Sequence, residues 1–546
     1  MLIVGTVVLS PWSVHPSQAQ DSTPGTRGSD TDGGWREFRG NLNNTGYSTG
    51  RVPVTNKTIL RFDTGWAFHS SPVISGDILY FGSDSGQVYA VSVTSGEELW
   101  NFTASSEIWA TPLVVGDRLF VGSMDSNMYA LNRHNGSLLW RFTTNDSVVS
   151  SAKYYNGILV FSSYDGYVYF LNATTGLKTV PPYQTSGQIW GSPAIVDGTA
   201  IVASNDGNVS RIWVDSGTKV WNFTLPAEYS GFVKYSSPSV ASGRVFIGSN
   251  DRSVYSLDLG SGHLVWKFTT GNFVYATPGV HGSKVFVHST DGYLYALPFD
   301  DPNHDGNIST SEVLWRFRTY DGSGGEGGSS PAIADGKVIV ASRTGRIYCI
   351  DEQTGAEVWS YGVSVANRPS FSSPAVIDGM VFAGLADGAM YGFAQLLPGL
   401  TVDIETSVTS LVLESERSMQ LIFNVTRGGQ PIEGAFITFT ASSGILSQSG
   451  ASTLEDGKQK VKYLAPKVTA NKTVTISAKA TKYGMEDASA SIHVTIIPAN
   501  DYGTQSGEAF SLGKYMGWIV AIGVLVAANI LVYTILMRRK RRRAAE

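Results

Sequence analysis

The sequence predicts an all-β chain: an eight-bladed β-propeller closed by an N-terminal strand, a smaller β-sandwich, and one transmembrane helix near the C-terminus. Three observations predict it. A small residue followed by proline recurs about every forty residues from Ser71 to Pro374, a different strand pattern fills residues 400–497, and a 22-residue uncharged run ends in six basic residues. Composition agrees. The chain has 60 Gly, 25 Tyr, 24 Phe and 13 Trp but only 16% charged residues, a balance of turn formers and aromatics that suits pleated surfaces. A net charge of −5 over 546 residues and the lack of any nucleic-acid-binding motif give no reason to expect nucleic acid as a partner.

The first twenty residues read as a signal-like segment. Leu2 to Leu9 is a short apolar run, and Ser17-Gln18-Ala19 offers small residues at a cleavage point, although a basic leading region is missing. Residues 21–34 are polar and rich in Gly, Ser and Thr, the composition of a flexible linker.

Residues 35–397 hold the repeats. The second residue of each recurring pair is Pro72, Pro112, Ala152, Pro193, Pro238, Pro278, Pro331 and Pro374, giving steps of 40, 40, 41, 45, 40, 53 and 43 residues, the period of a four-stranded propeller blade. Each unit continues with a short apolar run, a Gly/Asp turn and a strand such as Ile78–Ser83. A second turn, usually carrying Asp (84, 125, 165, 206, 251, 291, 387), leads to a third strand and then to a fourth that ends in Trp. The recurring Asp is expected to serve turn geometry and not catalysis. Gly96, Gly136, Gly217, Gly262 and Gly355 each precede a tryptophan by four residues: Trp100, Trp140, Trp221, Trp266 and Trp359. The sixth unit has Trp315 after an insertion, and the third has Val180 instead. One ring at a fixed place in each unit is expected to dock on the next blade. The last unit, Ser373 to Gln395, lacks a fourth strand. Thr58–Phe62 aligns with Glu98–Phe102 and is expected to supply it, which would remove the open edges and set the count at eight.

The Gly-x-x-x-Trp pattern resembles the tryptophan-docking repeat of pyrroloquinoline-quinone-type propellers. Trp35-Arg36-Glu37-Phe38-Arg39-Gly40-Asn41, followed by Gly46 and Ser48, is similar to the segment that opens such propellers. The resemblance implies the fold. For function it implies either a quinone dehydrogenase or a non-catalytic scaffold, such as the propeller lipoprotein of bacterial outer-membrane assembly. The dehydrogenases typically carry an adjacent cysteine pair over the cofactor. This chain has one cysteine, Cys349, expected as a buried apolar group, so pyrroloquinoline quinone is not the expected cofactor.

The 53-residue step contains Asp301-Pro302-Asn303-His304-Asp305-Gly306-Asn307-Ile308-Ser309-Thr310-Ser311-Glu312. Oxygen-bearing residues at places 1, 3, 5 and 12, glycine at 6 and an apolar residue at 8 match an EF-hand calcium loop. The expected ligands are Asp301, Asn303, Asp305, Asn307 through its carbonyl, Ser309 and Glu312. Strands flank the loop, so the expected ion is structural and not a sensor.

Three residues before each repeat's second pair member lie His69, Trp109, Val149, Trp190, Tyr235, Tyr275, Gly328 and Phe371. The aromatic members His69, Trp109, Trp190, Tyr235, Tyr275 and Phe371 form a candidate binding rim, but packing between neighbouring blades is the reading favoured over it. The eight histidines show no metal-ligand spacing, and no nucleophile elbow or phosphate-binding loop is present.

Residues 400–497 read as an immunoglobulin-like sandwich of short alternating strands. Gly429–Ala435 and the Asp456-Gly457 turn resemble the bacterial immunoglobulin-like domains of invasin- and adhesin-type surface proteins. A linker at 498–515 leads to the transmembrane helix 516–537, long enough at about 1.5 Å per residue to cross roughly 30 Å of hydrocarbon. The basic tail 538–546 marks the cytoplasmic side, so the bulk of the chain is expected outside a cell membrane. Eleven Asn-x-Ser/Thr sequons, all N-terminal to the helix, fit a glycoprotein; the one at Asn307 would compete with calcium. These features predict a cell-surface, membrane-anchored propeller that binds an extracellular protein or glycan without catalysis. An outward-facing quinone-dependent dehydrogenase is the alternative.

Overall fold

The computed structural model describes residues 34–225, 236–319, 328–342, 345–363, 371–377, 379–395, 400–406, 410–412, 417–427, 429–454, 456–482, 485 and 488–498. The signal-like segment, residues 21–33, the run 516–537 expected to be a helix, the basic tail and the linker beyond Pro498 lie outside them. Among the described residues no helix is long and apolar enough to cross a membrane. All regular structure among the described residues is β apart from one 3-10 turn at Phe38–Gly40. Two compact units divide the chain: the first comprises Met1–Leu400 and Thr481–Asp487, the second Thr401–Ala480 and Ala488–Glu546.

The first unit has a β-propeller-like fold built from eight sheets, each an antiparallel meander of four strands. The first runs Val73–Ser75, Ile78–Gly82, Gln87–Ser92, Glu98–Thr103. Its two middle strands are almost wholly buried, whereas Glu98–Thr103 alternates exposed and covered positions. That pattern follows from position: the inner strands are covered on both faces, and the fourth lies on the outside. Two sheets gain a fifth, parallel strand. Tyr47–Ser48 adds to Ala332–Ala334, and Asn307–Ile308 adds to Leu264–Thr269. The sheet of Ala375–Ile377, Met380–Gly384 and Ala389–Ala394 takes its fourth strand from the N-terminus, because Thr58–Asp63 pairs antiparallel with Ala389–Ala394.

Tryptophans join neighbouring sheets. The indole Nε1 of Trp100 donates to the Arg133 carbonyl at 2.9 Å, Trp140 to Ala173 at 3.3 Å, Trp221 to Leu259 at 2.8 Å, Trp266 to Phe299 at 2.9 Å and Trp315 to Glu352 at 3.0 Å. For Trp100, Trp140, Trp221 and Trp315 the glycine under the ring is not one four residues before it but one in the following sheet. A Cβ on Gly136 would meet Trp100 at 2.6 Å, one on Gly262 would meet Trp221 at 2.7 Å, and one on Gly355 would meet Trp315 at 2.8 Å. These glycines also have positive φ, so two independent constraints select glycine. Where Val180 replaces tryptophan, the facing Gly217 meets the Pro181 carbonyl instead.

The recurring aspartates are turn residues that also tie sheets together. Asp165 accepts the Tyr167 N–H at 3.0 Å, the Tyr169 hydroxyl at 2.7 Å and, from the preceding sheet, the Asn145 N–H at 3.0 Å. Asp125 and Asp291 repeat the triple contact.

The second unit consists of two five-stranded sheets. In Ser418–Arg427 the residues Met419, Leu421, Phe423 and Val425 point inward in strict alternation. Phe423 meets Phe439 of the other sheet with ring centroids 4.5 Å apart.

Candidate functional site

Each repeated small-residue pair begins with a hydroxyl, and the fold makes those hydroxyls into a closed cycle. The backbone N–H of Ser71 donates to Thr111 Oγ1, Thr111 to Ser151 Oγ, Ser151 to Ser192, Ser192 to Ser237, Ser237 to Thr277, Thr277 to Ser330, Ser330 to Ser373, and Ser373 back to Ser71. All eight distances lie between 2.8 and 3.1 Å. One link joins each sheet to the next, including the joint between the last and the first.

The eight hydroxyl residues line one cavity of about 100 Å³. His69, Trp109, Trp190, Tyr275 and Phe371 line it as well, with Val149, Gly328 and Phe38. Five of the six predicted rim residues are therefore brought together; the sixth, Tyr235, lies outside the described residues. His69 is sandwiched between Trp109 (centroids 4.0 Å apart, 11° between planes) and Phe371 (4.6 Å, 16°). Its Nδ1 lies 3.0 Å from both carboxylate oxygens of Asp84. Among the described residues Trp109 Nε1 is buried without a hydrogen-bond partner. No Asp, Glu, Lys or Arg among the described residues lines the cavity. The rim residues thus both stack on one another and face a common space.

The segment that opens the repeats crosses the inner strands and ties into every sheet. Backbone carbonyls of Trp35, Arg36, Leu42, Asn43, Thr45, Gly46 and Arg51 accept N–H groups of Ile74, Val114, Ile195, Val240, Val280, Ile333 and Gly379. The third sheet is reached through Lys153, whose ammonium donates to Glu37 Oε2 at 3.0 Å and to the carbonyls of Phe38 and Asn41 at 2.7 Å. Lys153 is wholly buried, and such a charge is tolerated only when paired and fully hydrogen-bonded. Arg39, only 2% exposed, reaches the carbonyls of Asn44 and Thr45 at 3.5 and 3.4 Å, and its Nη1 has no partner among the described residues. Desolvation lowers its pKa to about 9. The sequence reading singled out this segment only for its resemblance. A lysine in an otherwise apolar inner strand was the available signal.

In the inserted loop, Asp301 accepts the N–H groups of Asn303 and Gly306 (3.3 and 2.7 Å), and Asn303 Oδ1 accepts that of Asp305 at 2.9 Å. Asp305 accepts that of Asn307 at 2.8 Å, and Glu312 accepts the Ser309 N–H and hydroxyl. Gly306 has φ +84°, and Ile308 is buried in an apolar cluster. Among the described residues no group of three or more His, Cys, Asp or Glu side chains converges as a metal site. The loop's oxygens are engaged with its own backbone. Cys349 is a buried free thiol, pushed up to about 12 by desolvation.

The family profile described as outer membrane protein assembly factor BamB matches residues 35–203, 205–308 and 305–397. No curated protein matches the chain. Among solved structures, BamB from Moraxella catarrhalis is similar at a TM-score of 0.52 and 17% identity, over 62% of this chain and 98% of that one. The computationally designed Ika8 protein gives 0.53 at 15% identity, over 62% and 99%. The quinohemoprotein alcohol dehydrogenase from Comamonas testosteroni gives 0.55 at 11%, over 66% and 80%. At such identities these likenesses are ones of fold, and they span an assembly factor, a designed protein and an enzyme.

Proposed function

The chain belongs to the family of the outer membrane protein assembly factor BamB, and on that premise we propose that its propeller is a non-catalytic binding module or scaffold in assembly at a membrane. The observation that carries this reading is the family match across residues 35–397. The site's chemistry supports it. The cavity of about 100 Å³ lined by hydroxyls and aromatics holds only a few water-sized groups. The single cysteine is buried and protonated, and it cannot form the adjacent pair of the dehydrogenases that the repeats resemble.

On the same reading the eight sheets are the blades of an eight-bladed ring. Residues 400–497 form an immunoglobulin-like sandwich. The run 516–537 spans a cell membrane with the basic tail 538–546 on the cytoplasmic side, which places both β units outside. The partner is a protein or glycan met there, and some of the eleven sequons carry sugar. A structural calcium ion is held by Asp301, Asn303, Asp305, Asn307, Ser309 and Glu312. The carboxylates would supply charge, and the ion would stiffen the loop.

The test is a titration of the full-length chain with pyrroloquinoline quinone, with and without calcium, following absorbance, heat and dye reduction in the presence of alcohols and sugars. Calcium uptake at one site with no quinone binding is expected. Stoichiometric quinone binding with dye reduction would overturn the scaffold reading in favour of an outward-facing quinone-dependent dehydrogenase.

A further inference from the structure

The hydroxyl cycle uses only half of what each group offers. Every Ser or Thr oxygen in it accepts one backbone N–H, yet none of the eight hydroxyl protons has a protein acceptor among the described residues. All eight residues are more than nine-tenths buried, and all eight line the same cavity. Trp109 lines the same cavity, and its Nε1, also a donor, is buried without a partner among the described residues. Buried donors are normally satisfied, and leaving one unmet is costly. Against these donors the described lining sets no carboxylate, and besides the cycle's hydroxyls only the His69 ring and the Tyr275 phenol can accept there. Arg39, the residue after Phe38 of the lining, has no carboxylate partner among the described residues.

We propose that this axial cavity is a binding site for a small oxyanion, a carboxylate or phosphate group, held by the cycle's hydroxyls and the Trp109 indole N–H between the aromatic walls. Its volume of about 100 Å³ holds a few water-sized groups. It therefore takes a single acidic group, not a fused-ring cofactor. The group can arrive as a free ion or on an acidic side chain or C-terminus of a bound chain. The second case deepens the proposed scaffold role and rests on it.

The experiment is a titration of the full-length chain with acetate, inorganic phosphate, a short peptide ending in Asp-Glu, and acetamide as the neutral counterpart of acetate. It follows tryptophan fluorescence and melting temperature at constant ionic strength. Expected is saturable binding of the anions and not of acetamide. Trp109→Phe, which keeps a ring and loses the N–H, should weaken binding about tenfold, as expected for one charge-assisted hydrogen bond. Thr111→Val, which removes one hydroxyl, should weaken it as well, its fold verified by an unchanged far-ultraviolet spectrum. Peptide binding tighter than acetate assigns the acidic group to a partner chain; equal affinity assigns it to a free ion. The proposal is overturned if no anion binds saturably, if acetamide binds as well as acetate, or if Trp109→Phe leaves the affinity unchanged. Such a failure together with absent quinone binding would remove the anion site and leave the scaffold reading standing.

Discussion

Trp359 Nε1 donates to the carbonyl oxygen of Pro53 at 2.7 Å, across 306 positions of sequence. It is the same bond that Trp100 makes to Arg133, except that its acceptor lies on the N-terminal segment leading into Thr58–Asp63. The docking bond and the strand pairing of Thr58–Asp63 with Ala389–Ala394 therefore close one joint. Trp359→Phe should lower stability by about 1–2 kcal/mol, the cost of a buried carbonyl left without its donor, measured as a shift in the urea midpoint.

The tryptophan–glycine contact can be isolated with two alanines. Gly136→Ala places a Cβ 2.6 Å from Trp100 at φ +71°, while Gly96→Ala at φ +72° meets nothing within 4 Å. Both pay the positive-φ strain of about 1 kcal/mol, and only the first displaces a docked ring. Gly136→Ala should be the more destabilising by a further 1–3 kcal/mol in thermal or urea unfolding. Equal losses would show that the docking contact contributes nothing.

Lys153→Met should destabilise by about 3–5 kcal/mol, because it takes the buried ammonium away from the Glu37 carboxylate and from the Phe38 and Asn41 carbonyls. Adding Glu37→Gln should recover part of that loss, since the carboxylate charge that the ammonium had offset is then gone. Denaturant unfolding of the two single variants and the double variant gives the coupling.

His288 is wholly enclosed, with Nδ1 3.1 Å from the Ser329 carbonyl and Nε2 2.9 Å from Thr319 Oγ1. Desolvation holds its pKa below the ordinary 6.5. The unfolded chain then takes up the proton first, so the contribution is full above about pH 6.5 and falls as the pH drops from there toward the folded value. The melting temperature of the native chain should fall more between pH 7.5 and 5 than that of His288→Gln, read by calorimetry at both pH values.

Cys349 should not react with a thiol reagent at pH 8 in the folded protein, since burial pushes its pKa to about 12. One equivalent should react in denaturant. Rapid labelling of the native chain would contradict this burial.

Much of the ring was legible from residues alone. The forty-residue step, the alternating strands and the missing fourth strand of the last unit are local patterns, and Thr58–Phe62 could be matched to Glu98–Phe102 by eye. The turn role of Asp125, Asp165 and Asp291 was likewise readable, because an Asx turn acts over two residues. The partner of each tryptophan was not: the pattern pairs Trp140 with Gly136, while the fold sets Trp100 on Gly136. Spacing along the chain carries no information about which neighbouring sheet a side chain leans toward.

The sequence by itself determined the repeat, the all-β character, the aromatic positions His69, Trp109, Trp190, Tyr275 and Phe371, and the Ser or Thr before each Pro or Ala. Those properties reside in single residues and short periods. Only the tertiary structure decided that eight hydroxyls from eight sheets form one cycle, that their protons are left over, and that Trp35–Arg51 ties all the sheets together. Each of those facts joins atoms tens to hundreds of residues apart. Hydrogen-bond satisfaction is a property of the closed ring, and no single repeat contains it.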